Sequence, residues 1–167
     1  MTSARLSQPV ISSRLMAATY VVGGLGLFMA FNYLGKDDKA AAAAWASAGA
    51  VGASGILSFV RHSIFHRSDA ARMGWDYERR NDFQIEVGLA NLAIGLVGIG
   101  AWVLGWGIKA EGAVVLVYAI YILGAAVLHA SEFRHSAQEG GGRTGALIGT
   151  TAFALALLYA GIVLVNA

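Results

Sequence analysis

The chain has no cysteine. That absence removes structural disulfides, thiolate-ligated zinc, iron–sulfur clusters and c-type haem attachment, so a bound metal would have to rely on His, Asp or Glu. Proline is almost missing as well: Pro9 is the only one, so no later helix is kinked by it. Charge is scarce, at 13% of residues against 57% hydrophobic, which is too little to cover a fold facing water. A net charge of +2 speaks against a nucleic-acid partner. The solvent these proportions suit is lipid.

What is present are long apolar runs. Runs of about 20 residues cover the roughly 30 Å hydrocarbon layer of a bilayer, and they predict spans at 13–34, 40–60, 83–108, 112–133 and 144–165. The expected fold is therefore all-α, a polytopic five-transmembrane-helix bundle forming one membrane domain over residues 1–167. No small-residue cleavage site ends the first run, which reads as a retained helix rather than a signal peptide. Residues 36–39 and 109–111 read as tight turns. The loop 61–82 is longer and polar, with a short interfacial helix expected in it: Ser68 as N-cap, Asp69 in the first turn, Gly74 as the stop. Ile64, Phe65 and Trp75 are placed to lie against headgroups.

Orientation follows from the basic residues. Arg5, Arg14, Arg61, Arg67, Arg72, Arg79, Arg80, Arg134 and Arg143 fall on one side, nine against three on the other, Lys36, Lys39 and Lys109. The positive-inside rule then puts the N-terminus and the 61–82 loop in the cytoplasm and the C-terminus in the periplasm. The second span is built of small residues, with Ala44, Ala48 and Gly52 in one row and Ala46, Ala50, Ser54 and Ser58 in another. Such rows let helices approach closely, which predicts a central position for this span.

With that topology the polar residues gather at one membrane face. His62 and His66 close the second span, four residues apart and so on one side of a helix. Glu86 lies about one turn inside the third span, where a carboxylate is costly unless paired, protonated or bound to a cation. His129, Glu132 and His135 end the fourth span, His129 being deepest, about 26 Å along its helix from Gly112. Imidazoles and carboxylates on facing helices suit a first-row metal, iron or zinc, with His62, Glu86, His129 and Glu132 as candidate ligands and His66 and His135 as further ones. Glu132-x-x-His135 supplies one ligand pair, where a di-iron bundle uses two. A haem b between His62 and His129 is the second cofactor candidate. The competing readings are a structural polar cluster with no cofactor, in which Glu86 pairs with an arginine such as Arg61, and a proton or solute path lined by Glu86 and Asn91. Gln84 and Asn91, seven apart, share a face of the third span, where buried amides join helices.

His62, the pair Gly74-Trp75, the run Phe83-Gln84-Ile85-Glu86-Val87-Gly88, and Gly124-Ala125-Ala126 followed by His129 form a pattern. It resembles an uncharacterised family of small bacterial multi-helix integral membrane proteins, over roughly residues 60 to 130. This chain departs from the family in two respects: a longer, more charged segment between Trp75 and Phe83, and Asp82 where a proline is expected. The resemblance implies a five-span fold in a bacterial inner membrane and marks His62, Glu86 and His129 as a trio. It implies no activity, and His66, Glu132 and His135 fall outside its pattern.

Three functional readings stand on these residues. One is a metal-dependent membrane oxidoreductase acting on a lipid-soluble molecule. Another is a non-catalytic subunit packed against a larger respiratory or photosynthetic membrane complex, with the bilayer and other membrane subunits as its partners. The last is a small-solute or proton transporter, for which the sequence lacks an internal repeat.

Overall fold

The computed structural model describes residues 9–75, 80–135 and 141–167, without the side chains of 132–135 and 141–143. The described residues form six helices: α1 (Pro9–Leu34), α2 (Lys39–Ile64), α3 (His66–Met73), α4 (Asp82–Val103), α5 (Ile108–His135) and α6 (Gly141–Val165). All except α3 are long and apolar enough to cross a membrane, five in number as the hydropathy predicts. Their outward faces carry Val21, Phe28, Val127 and Ile148, each well exposed, as side chains facing acyl chains should be. Of the basic residues that set the orientation, Arg5 and Arg79 lie outside the described residues, as do the side chains of Arg134 and Arg143.

Local chemistry sets the helix ends. Asp37 takes a left-handed φ of 58° in the first turn, and the Asp38 side chain then accepts the Ala41 N–H at 3.0 Å to start α2. Asn81 does the same for α4, accepting the Gln84 N–H at 3.1 Å. The turn between α4 and α5 falls at 104–107 instead of 109–111, so the third spanning helix ends at Val103 rather than at 108. Its cause is backbone conformation: Gly105 and Gly107 adopt φ of 64° and 93°, which glycine reaches without strain, while apolar Trp106 and Ile108 conceal the break from a hydropathy scan. Glu111, expected in a turn, is consequently buried in the first turn of α5. The start of α3 also differs from expectation. Ser68 does not cap it but sits buried within its first turn, while Gly74 ends it in the left-handed conformation, as anticipated.

α2 is the axis of the bundle. Half of its apolar window is buried, against 22–28% for the other four spans. The row Ala46, Ala50, Ser54, Ser58 faces inward. In lipid, close backbone approach replaces hydrophobic burial as the cohesive force, and it occurs on two sides of this helix. A Cβ on Gly26 of α1 would lie 2.7 Å from Ala50 Cα, and one on Gly55 would lie 2.6 Å from Asn91 O of α4. Two stretches of α2, Trp45–Ala53 and Val60–Ile64, wind with i→i+5 hydrogen bonds, a wider turn that usually occurs singly. We have no physical account of why the sequence adopts it over so long a stretch. α5 and α6 pair antiparallel, with Val115, Tyr118 and Ala119 packed in the same core as Leu157, Ala160 and Leu164.

Candidate functional site

The short helix α3 lies where the polar residues of three helices meet. Its inner face, Ser68, Asp69 and Ala70, is fully buried against the start of α1 and the end of α2. Ser12 of α1 fastens it three times: its backbone N–H donates to Ser68 Oγ at 3.0 Å, its hydroxyl donates to Asp69 Oδ1, and that hydroxyl accepts from Arg72 Nε at 3.1 Å. Arg72, one turn along α3, donates from Nε and Nη2 to the same Oδ1 at 3.1 and 3.0 Å. Arg61 Nε stands 3.9 Å away, a Coulombic neighbour rather than a hydrogen-bond donor.

His62 completes the cluster. Its Nε2 accepts from Arg61 Nη2 at 2.5 Å, which assigns the proton to Nδ1. That Nδ1–H donates to Gln84 Oε1 of α4 at 2.7 Å, with Asp69 Oδ2 at 2.9 Å and off the N–H axis. One imidazole therefore ties α2 to α3 and α4. Burial alone would push the Asp69 carboxyl upward in pKa. The adjoining His62 N–H and the guanidinium charges of Arg61 and Arg72 outweigh it and hold the group well below the ordinary carboxylate range.

The predicted ligands do not gather here. Glu86 is exposed, because Gln84, Gly88 and Asn91 occupy the buried face of α4 and two residues turn a helix by about 200°. His129 is exposed as well, along with its neighbours Val127 and Leu128. His66 folds back on its own chain, Nδ1 donating to Ser63 O at 3.0 Å. The side chains of Glu132 and His135 lie outside the described residues. Among the described residues no three His, Asp or Glu side chains are placed to hold a metal ion. Around His62 the structure gathers Asp69 and Gln84, with Glu86 and His129 outside that group. Asp69 was read from the sequence as a first-turn charge, and its spacing of seven residues from His62 spans a helix break that periodicity does not carry across.

A second polar group lies deeper. Gln84 and Asn91 are 3% and 2% exposed and join helices as their shared face suggests. Asn91 Nδ2 donates to Tyr121 Oη at 2.8 Å, and Tyr118 Oη donates to Asn91 Oδ1 at 3.4 Å, linking α4 to α5.

The chain matches no curated protein and no solved structure. One family model covers residues 13–166, nearly the whole length, and fits the resemblance to an uncharacterised group. By that match the chain belongs to the family of unknown function DUF6790.

Proposed function

We propose that the chain is a non-catalytic membrane subunit that works by packing against a larger membrane complex. The observation that carries this reading is a groove of about 300 Å³ between α4 and α5, walled by Ala93, Ile94, Val97, Ala113, Val114 and Val117. The groove opens to the side of the bundle and its walls are apolar, so its occupant lies within the bilayer. Exposed Ala93 and Ala113 with branched side chains beside them suit the close approach of another helix. The chemistry at the α3 end supports the same reading. Both ring nitrogens of His62 are engaged within the protein, and Glu86 and His129 face outward, so the described side chains favour a structural cluster over an oxidoreductase centre. We place the N-terminus and α3 on the cytoplasmic side of a bacterial inner membrane, on the excess of arginine at that side and on the family resemblance.

Extraction in mild detergent followed by native electrophoresis and composition analysis of the band tests the reading. The wild type should migrate in an assembly containing other membrane proteins. Ala113→Trp, which fills the groove, should release it, whereas Val21→Trp on an exposed face of α1 should not. A band containing this chain alone, or an assembly indifferent to Ala113→Trp, would contradict the proposal.

A further inference from the structure

Glu86 serves no contact inside the bundle. It is exposed on α4, and among the described residues no cation pairs with it. Arg80, the described arginine nearest in sequence, gives its guanidinium to Asp82 at 2.5 Å. A carboxylate about one turn inside a span is costly in lipid unless a cation compensates it. Its place on an outward face therefore calls for a partner that the described bundle does not supply.

Helical spacing puts that carboxylate on the wall of the α4–α5 groove. Ala93 and Val97, which line the groove, follow Glu86 by seven and eleven residues, and at 100° per residue all three fall within about 40° of arc. Across the groove, Ala113 and Val117 lead through Ile120 to Gly124, all exposed and one helical repeat apart. α4 and α5 run antiparallel, and the Asn91–Tyr121 hydrogen bond fixes a register that brings Gly124 to about the level of Glu86. A Cβ at Gly124 would meet nothing within 4 Å, so the space beside the carboxylate is open. The apolar groove thus continues roughly 16 Å from Val97 to an acidic end.

We propose that the groove takes a spanning helix of another protein that carries a lysine or arginine near its own cytoplasmic end, paired with Glu86. The inference rests on the subunit reading above and adds the chemistry that selects the partner. Small or branched residues of that helix seat against Ala93 and Ala113, and its cation reaches Glu86 two to three turns further along, roughly 10–16 Å. Docking strips water and headgroups from the carboxylate. A wholly apolar helix would strand a charge there and is rejected, whereas a basic one gains a charge pair in a medium of low dielectric constant. Membrane proteins concentrate lysine and arginine at the cytoplasmic ends of their helices, the end at which Glu86 lies in the orientation proposed above.

Native electrophoresis of mild-detergent extracts, with Ala113→Trp run alongside, tests the pairing. Glu86→Gln should lower the amount of assembled protein about tenfold, the effect of losing one interhelical polar contact in a bilayer. Because Glu86 is exposed, the variant should keep the wild-type melting temperature. Glu86→Arg should abolish the assembly, and exchanging the partner's basic residue for glutamate, once mass spectrometry of the wild-type band has identified that partner, should restore it. Wild-type levels of assembly in Glu86→Gln, with Ala113→Trp dissociated, overturn the charge pairing and leave the subunit reading standing. A partner with no basic residue near the cytoplasmic end of its helix, or failure of the exchanged charges to restore assembly, overturns the pairing too. A wild-type band containing this chain alone overturns both.

Discussion

His62 Nδ1 and Asp69 Oδ2 stand 2.9 Å apart, joining the end of a spanning helix to the short helix beside it. Because Asp69 is completely buried while its arginine partners keep some solvent, the carboxylate is the hub on which the cluster depends. Without it, Ser68 and Arg72 would still tie α3 to Ser12 of α1, through the Ser12 backbone N–H at 3.0 Å and the Ser12 hydroxyl at 3.1 Å.

Asp69→Asn removes the charge and leaves Arg61 and Arg72 facing one another across a buried amide. The loss should be about 3 kcal/mol, the low end for a broken buried pair, since both guanidinium groups retain some solvent. Thermal unfolding in detergent reads it directly, and Ser12→Ala should cost less because one hydroxyl is lost and no charge is stranded.

The pH response of the cluster has a definite sign. The folded-state pKa of Asp69 lies below its ordinary value of 3.8, so its stabilising contribution is fully present above that value and is lost as pH falls below it toward the folded pKa. Stability should therefore show no Asp69-linked change through the neutral range and decline in acid. In Asp69→Asn that acid-side component should disappear, as comparison of melting curves for the two proteins across acid pH would reveal.

Gly55→Leu should disrupt the contact between α2 and α4. A Cβ there already meets Asn91 O at 2.6 Å and Gly95 Cα at 2.8 Å, both backbone atoms that cannot rotate away. Overpacking of this kind costs about 1–3 kcal/mol or more. Asn91→Leu should cost less, about 1 kcal/mol, the usual worth of an interhelical hydrogen bond in a membrane. Unfolding midpoints of the two variants should rank in that order.

These contacts show which levels of the structure the sequence makes legible. The five spans follow from hydropathy, because lipid permits few alternatives to a helix, and the central place of α2 follows from its alanine and glycine rows. The α4–α5 turn does not, since Gly105 and Gly107 act through φ while their neighbours stay apolar. Gln84 and Asn91 were legible as helix-joining amides from their spacing. Glu86 is singled out by depth, and depth along a helix says nothing of which way a residue faces. Gln84 is buried two positions earlier, and that fixes Glu86 on the opposite side. Asp69 was hidden for another reason. Its partners come from α1, α2 and α3 across two helix breaks, and only the tertiary structure brings Ser12, His62 and Arg72 to one carboxylate.

Since the chain has no cysteine, a single one placed at Val117, a half-exposed wall of the groove, reports on its occupant without background. Photoreactive or disulfide crosslinking from Val117→Cys in native membranes is the most direct test of the subunit reading. The account predicts a discrete adduct with a different membrane protein, abolished by adding Ala113→Trp and absent from Val21→Cys. Lipid adducts alone, or a crosslink confined to a second copy of this chain, would contradict it.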